Sequence, residues 1–309
     1  MLKDRGYDLD INPKDRVLSK SELVKILKNN SYHAVLCLLT DKIDGDVFDA
    51  ASNAKIFANY AVGFDNINLE EAKKRGVMIS NTPGVLSEAV AEHSIALMLT
   101  VSRRIAESDK FARAGKYKGW APMLLLGNGF FGKTVGIVGL GRIGTKTAHM
   151  ASQGFGSKVI YYDIKRNEDF EKEFPSGSIE FKPSIDEVLK QADFVSVHLP
   201  LTEQTKHIIN KEKLAMMKPS AFIVNTSRGP IIDENALVEA LRNKVIKGAG
   251  LDVFEFEPKI SKGFFKMDNV VLTPHTASAT EEARSKMSEV AAQNIIEALE
   301  GRIPPNLVK

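Results

Sequence analysis

Cysteine is almost missing: of 309 residues only Cys37 carries a thiol. A lone thiol cannot close an intrachain disulfide, and a Cys-ligated zinc site is excluded. It sits in the apolar run His33-Ala34-Val35-Leu36-Cys37-Leu38-Leu39, so it reads as a small core residue and not as a nucleophile. Charge of one sign is equally scarce. The 42 Lys and Arg residues nearly balance 39 Asp and Glu, leaving a net charge of +3. That is too little to point to nucleic acid or an anionic membrane, and no basic block marks a nucleic-acid patch. No apolar run approaches the roughly 18 residues needed to cross a bilayer. Met1-Leu2-Lys3-Asp4-Arg5 lacks the apolar segment of a secretory leader, so the cytoplasm is the expected address. Internal repeats, low-complexity segments and linker-like stretches are also lacking, and no metal site is expected.

What is present is the composition of an ordinary globular protein, 43% hydrophobic and 26% charged. The length allows two domains, each with its own core. Short β-branched runs alternate with helical patterns, which argues for α/β architecture with mainly parallel sheets. Strands are expected at Ala34–Leu39, Ile56–Tyr60 and Val77–Ser80, with helices at Ser21–Leu27 and Asn68–Arg75. Asn68 is placed to cap the second of these helices and Gly76 to end it. One block then holds six strand candidates: Val135–Val138, Val159–Tyr162, Phe194–Val197, Phe222–Val224, Gly250–Val253 and Val270–Leu272. Ser184-Ile185-Asp186-Glu187 matches a capping box and Asp233 caps another helix. Single long helices are expected over Ser87–Arg104 and Thr280–Glu300. Six strands with crossover helices make a complete dinucleotide-binding sheet.

Gly139-Leu140-Gly141-Arg142-Ile143-Gly144 follows the strand Thr134–Val138 directly and opens a helix. The first glycine permits a tight turn, the second lets backbone approach a pyrophosphate, and the third lets helix and strand pack closely. Free N–H groups at the helix start then face the phosphate charge. Asp163 ends the next strand, about 20 residues past the loop, where a carboxylate accepts from the ribose hydroxyls of NAD. The same charge repels the 2′-phosphate of NADP. Lys165 and Arg166 keep NADP open, because either one turned inwards would bind that phosphate. A glycine turn needed for packing alone is the plainer alternative, and the flanking strand, helix and acid weigh against it.

Three later segments place polar residues at strand ends, where open α/β sheets bind ligands. They are Asn225-Thr226-Ser227-Arg228-Gly229, Glu255-Phe256-Glu257-Pro258 and Thr273-Pro274-His275-Thr276-Ala277-Ser278. Arg offers a planar fork for a carboxylate. Histidine can give or take a proton near neutral pH. A carboxylate orients the imidazole and favours its charged form. Together they suit reduction of a 2-oxo acid beside a nicotinamide. Each also has a plain structural reading as ion pair, surface acid or loop histidine. Spacing does not choose between Glu255 and Glu257, and His198 at the end of Phe194–Val197 rivals His275.

Over nearly its whole length the chain resembles the D-isomer-specific 2-hydroxyacid dehydrogenase family. The resemblance is carried by Asn59–Ile67, Asn81–Leu86, the glycine loop, Asn225–Gly229, Gly250–Pro258 and Thr273–Ser278. It implies two Rossmann-like domains: a six-stranded parallel dinucleotide-binding sheet (83–277) inserted in a smaller flavodoxin-like substrate domain (1–82 and 278–309). Substrate would bind in the cleft between them, closing to exclude water. The resemblance implies catalytic roles for Arg228, Glu257 and His275, with Glu257 chosen as the acid before proline. Val62 and Gly63 would offer backbone amides to the substrate carboxylate. Gly139, Gly141, Arg142, Ile143, Gly144, Asp163, Leu199, Thr226, Asp252 and Ser278 would contact the cofactor, NAD or, alternatively, NADP.

Asn59–Asn66, Gly119-Trp120-Ala121-Pro122-Met123 and Pro304–Val308 are most similar to the glyoxylate and hydroxypyruvate reductase branch, and Trp120 would bound the substrate site across a homodimer. Trp120 as plain core or interface packing is an equal alternative. A phosphoglycerate or D-lactate type dehydrogenase, and a non-catalytic NAD-sensing interaction protein, are the other readings. The family's usual first strand is missing ahead of a helix expected at Met1–Arg5. No regulatory domain is expected after Pro304–Val308.

Overall fold

The computed structural model describes residues 1–13 and 16–308; positions 14, 15 and 309 of the expected smaller domain lie outside the described residues. The chain divides into two compact units, Met1–Leu86 with Thr280–Lys309, and Ser87–Ala279.

In the smaller unit, β1 (Ala34–Cys37), β2 (Ile56–Asn59) and β3 (Met78–Ser80) form a parallel sheet in that order. The expected opening helix is a single 3-10 turn, Lys3–Arg5, and no strand precedes it among the described residues. β2 lies between β1 and β3, with all four of its residues buried. Helices α1 (Lys20–Asn29), α2 (Gly45–Ala50) and α3 (Leu69–Lys74) complete the first segment. Ser19 and Glu22 form a reciprocal capping box on α1, and Asn68 caps α3 by accepting from the Glu71 amide at 3.1 Å. The long helix α11 (Glu281–Leu299) packs Ile295 and Ala298 against Ile56 and Ala58 of β2. Cys37 is buried in this unit's core, where desolvation pushes its thiol well above the usual range and keeps it unreactive.

The larger unit holds α4 (Ser87–Ser102), α5 (Ile105–Arg113), β4 (Thr134–Val138), α6 (Arg142–His149), β5 (Lys158–Tyr162) and α7 (Glu168–Glu171). After these come β6 (Ile179–Phe181), α8 (Ile185–Gln191), β7 (Phe194–Val197), α9 (Lys211–Leu214) and β8 (Phe222–Asn225). The unit ends with α10 (Glu234–Arg242), β9 (Gly248–Leu251) and β10 (Val270–Leu272). Its strands are all parallel, in the order β10-β9-β8-β7-β4-β5-β6. The sheet thus has seven strands and not the expected six. The addition is β6, three residues on the outer edge, too short and too mixed to stand out in the sequence.

Side chains alternate between two cores, as the period of a strand requires. Val135, Ile137, Val159 and Tyr161 face the core closed by α4, while Val138, Ile160, Val195 and Ile223 face α8 and α10. Gly136 is needed on the second face, because a Cβ there would lie 2.6 Å from Val188 of α8. The expected helix Ser87–Arg104 ends at Ser102: Arg104 takes a left-handed φ of 55° and α5 starts anew. Asp233 caps α10, and Ser184 caps α8 by accepting from the Glu187 amide.

Candidate active site

The chain runs outwards from β4 through β5 to β6, then returns to the other side of β4 as β7. Such a reversal leaves a crevice at the carboxyl ends of the strands. The glycine loop leaves β4 there. Gly139 has a φ of 96°, and a Cβ on it would meet the His198 carbonyl at 2.7 Å. A Cβ on Gly144 would sit 2.1 Å from the Gly139 carbonyl. Around Gly141, by contrast, a Cβ would meet nothing within 4 Å, and this residue is the N-cap of α6 without any side-chain cap. The first and third glycines serve internal packing, whereas the second faces open space beside the uncapped amides of Arg142 and Ile143. That is the cradle an anionic pyrophosphate fits.

Asp163 closes this loop. Its carboxylate accepts from the Leu140 amide at 2.6 Å and from the Ile164 amide at 2.6 Å, so the acid is held next to the glycine turn. Of the two cations that follow, Arg166 is engaged by Glu171 at 2.7 Å, and Glu171 also accepts from the Tyr161 hydroxyl. Lys165 is exposed.

After β7, the half-buried His198 pairs its Nε2 with the Ser196 hydroxyl at 2.9 Å, and burial pushes its pKa down to about 3. A ring held neutral in this way is a poor proton donor near neutral pH. Leu199 beside it is half-buried. The sign of the pH effect follows from that depressed value. The unfolded chain takes up a proton near pH 6.5 and the folded chain does not, so stability is full above pH 6.5 and falls as pH drops towards 3. Urea unfolding between pH 6 and pH 4 should show this group contributing a loss of about 1.4 kcal/mol per pH unit, absent in His198→Gln. An equal slope in both proteins would refute the assignment.

The loop after β8 carries Arg228. Buried Asn225 builds an Asx turn: its Oδ1 accepts from the Ser227 amide at 3.0 Å, and its Nδ2 donates to the Arg228 carbonyl at 2.8 Å. Gly229 then lies so close to the segment after β9 that a Cβ would fall 1.9 Å from the Phe254 carbonyl carbon. Arg228, half-buried, donates from Nη1 to the Ser227 carbonyl at 2.9 Å.

Glu257 and His275 meet directly. His275 Nδ1 donates to Glu257 Oε2 at 2.9 Å, while Glu257 Oε1 accepts from the Phe254 amide at 2.9 Å. This fixes the tautomer and turns Nε2 away from the glutamate. His275 adopts a left-handed φ of 55°, a conformation costing on the order of 1 kcal/mol, and its amide donates to the Asp252 carbonyl at 2.8 Å. Glu255 has a different set of partners. It binds His207 Nε2 at 2.7 Å and accepts from the Glu234 amide at 3.1 Å, while Glu234 accepts from the Glu255 amide at 2.8 Å. The two glutamates that spacing leaves equal are thus separated by their contacts.

Asp252, fully buried, organises the loop that carries His275. It accepts from the Thr273 hydroxyl at 2.6 Å, the Thr276 amide at 2.8 Å and the Ala277 amide at 2.8 Å. Burial alone raises its pKa, but hydrogen bonds from His93, Thr273 and the two amides outweigh that and hold it below the usual carboxylate range. Thr226 is buried and shares a hydrogen bond with Ser94 of α4 at 2.8 Å. Ser278 is half-buried in the turn after this loop.

Residues 95–277 match the D-isomer specific 2-hydroxyacid dehydrogenase NAD binding domain. A glyoxylate reductase of Thermofilum pendens is 50% identical over 310 residues, covering 100% of this chain and 90% of its own. The chain belongs to the D-isomer specific 2-hydroxyacid dehydrogenase family. A crystal structure of a Thermus thermophilus protein superposes with a TM-score of 0.92 at 41% identity, covering 100% of this chain and 95% of the other. An NADPH-dependent glyoxylate/hydroxypyruvate reductase of Sinorhizobium meliloti, solved with NADP and malonate, gives a TM-score of 0.81 at 31% identity, covering 92% and 85%. This 2-hydroxyacid dehydrogenase is therefore an NAD(P)-dependent oxidoreductase, with NAD the expected partner and NADP also compatible with the family.

Within the dehydrogenase's smaller unit, Val62 and Gly63 follow β2. Their carbonyls accept from Asn81 at 2.7 Å and Asn59 at 2.8 Å, while neither amide donates to another of the described residues. Trp120 is 83% exposed, so the reading as core packing fails. The sequence did not single out Asn225, Gly229, His93 or Ser94. Asn225 alone left a signal, an amide side chain ending an apolar strand before Thr-Ser-Arg-Gly. No helix among the described residues is long and apolar enough to cross a membrane, and no group of His, Cys, Asp and Glu there is arranged to hold a metal ion.

Proposed function

We propose that this dehydrogenase reduces a small 2-oxo acid, glyoxylate or hydroxypyruvate, with NADH. The hydrogen-bonded Glu257–His275 pair at the carboxyl edge of the sheet carries the proposal. When bound, the nicotinamide supplies a hydride to the carbonyl carbon. His275, oriented by Glu257, then gives its Nε2 proton to the carbonyl oxygen as the C=O π pair moves onto it, leaving the 2-hydroxy acid. Arg228 holds the substrate carboxylate through its guanidinium fork. Asp163 accepts from the adenosine ribose, and the amides of Arg142 and Ile143 hold the pyrophosphate. Leu199, Thr226, Asp252 and Ser278 line the cofactor site, Asp252 by fixing the 273–277 loop.

A homodimer through α5 and the segment that follows it is supported by the exposed apolar side chains Ile105, Tyr117, Trp120, Met123 and Phe131. In that reading Trp120 is an interface residue that bounds the partner's substrate site.

The test is steady-state kinetics with NADH and NADPH against glyoxylate, hydroxypyruvate, pyruvate and phosphohydroxypyruvate. The first two acids with NADH should give the highest kcat/KM, and hydroxypyruvate should yield D-glycerate. Asp163→Ser should bring NADPH closer to NADH by about tenfold, because the like charge facing a 2′-phosphate is gone. An unchanged ratio would remove Asp163 from cofactor choice. Failure of all four acids with both cofactors would reject the proposed reaction.

A further inference from the structure

All seven strands of the large sheet run in one direction, so its two edges differ. The glycine loop, Arg228, Asp252 and His275 occupy the carboxyl edge. The amino edge holds an open groove of about 890 Å³ in front of β8, β9 and β10, reached by Pro219, Lys247 and Asn269. That volume lies in the range of small-molecule sites, roughly 300 to 1,000 Å³.

Five cations line this groove: Arg242, Lys244, Lys247, Lys262 and Lys266, against one acid, Asp268. Among the described residues none of the five has an ion-pair partner, whereas Lys218, next to the lining residue Pro219, pairs with Asp193. The concentration is local, since the whole chain carries only +3. Like charges gathered in a concave, partly apolar surface repel each other and focus a positive field outwards. Leu241 and Ile246 lie buried beneath the groove, and its accessible apolar surface is Met267 with the alkyl stems of the flanking lysines. The wall is built in advance. Gly263 fits where a Cβ would be 2.6 Å from Val238 of α10, Phe264 is buried, and Asn269 Nδ2 donates to the Lys247 carbonyl at 3.1 Å.

We infer that this groove binds a phosphorylated organic anion of nucleotide size, with phosphates on the cation rim and a flat apolar portion against Met267 and the lysine stems. The five cations match a polyphosphate charge, and the apolar surface favours a ligand with an organic portion over inorganic phosphate. The site is separate from the dinucleotide cradle, which lies at the other edge of the sheet.

Isothermal titration calorimetry at low salt tests this, with metal-free ATP added to the full chain saturated with NADH, and inorganic tripolyphosphate added in parallel. Saturable one-to-one ATP binding is expected, about fivefold tighter than tripolyphosphate because of the apolar surface. Lys244→Glu, Lys247→Glu and Lys266→Glu together should weaken it by about tenfold or more, with NADH affinity unchanged. If that triple variant does not fold, the milder Lys247→Gln/Lys266→Gln pair should still weaken ATP by about threefold. Absence of saturable heat, an affinity indifferent to these changes, or tripolyphosphate binding as tightly as ATP would overturn the inference.

Discussion

His275→Gln is expected to lower kcat by about 10³-fold while NADH binds with unchanged affinity. Glutamine has a similar reach and keeps a polar end, but it cannot hold a transferable proton near neutral pH. The variant thus removes proton donation and leaves most of the volume. The effect should fall on kcat and kcat/KM together, because the proton moves only as the carbonyl is reduced. The structure also makes the reverse control available. His198 is the other strand-end histidine, yet burial holds it neutral with a pKa of about 3, so His198→Gln should leave the pH profile of turnover in place. Normal turnover in His275→Gln would move the acid elsewhere and dissolve the role given to Glu257.

Gly229→Ala is expected to destabilise the fold by about 3 kcal/mol or more. The added Cβ would lie 1.9 Å from the Phe254 carbonyl carbon, 2.0 Å from its oxygen and 2.4 Å from the Glu255 amide nitrogen. All three are backbone atoms, so no side-chain rotation relieves the clash. Either the Arg228 loop or the Phe254–Glu257 segment must move, and each carries a proposed active-site group. Turnover should therefore fall along with the urea midpoint. Gly129→Ala is the matched control, since a Cβ there meets nothing within 4 Å and the change should stay within about 0.5 kcal/mol. Equal midpoints for the two variants would show that the approach of Gly229 to the Phe254–Glu255 backbone is not tight in solution.

Much of this candidate site is legible along the chain because the proposed catalytic groups sit at strand ends, and apolar strands are the loudest signal in an α/β sequence. The glycine loop announces itself by strand, glycines and following acid, and the structure adds that each glycine has a different neighbour. Long β4 and β5 stand out as apolar runs. β6 does not: Ile179-Glu180-Phe181 lies on the sheet edge, with Glu180 facing Lys158 and Lys182. The break at Arg104 is equally silent, since nothing in the sequence marks a left-handed arginine. Glu255 and Glu257 look equivalent because they flank Phe256, and only their partners, His207 with Glu234 against His275, tell them apart. Contacts from α4, such as Ser94 to Thr226 and His93 to Thr273, join positions more than 100 residues apart, and no local pattern encodes them.

The reduction is tested most sharply by following the hydride itself. Glyoxylate is incubated with the protein and NADH deuterated at the transferring position of the nicotinamide, and the product is weighed by mass spectrometry. Glycolate carrying one deuterium on its hydroxyl-bearing carbon is expected, formed in step with cofactor oxidation and lost in His275→Gln. Bound but unoxidised cofactor, or glycolate without the label, would contradict the proposed reduction.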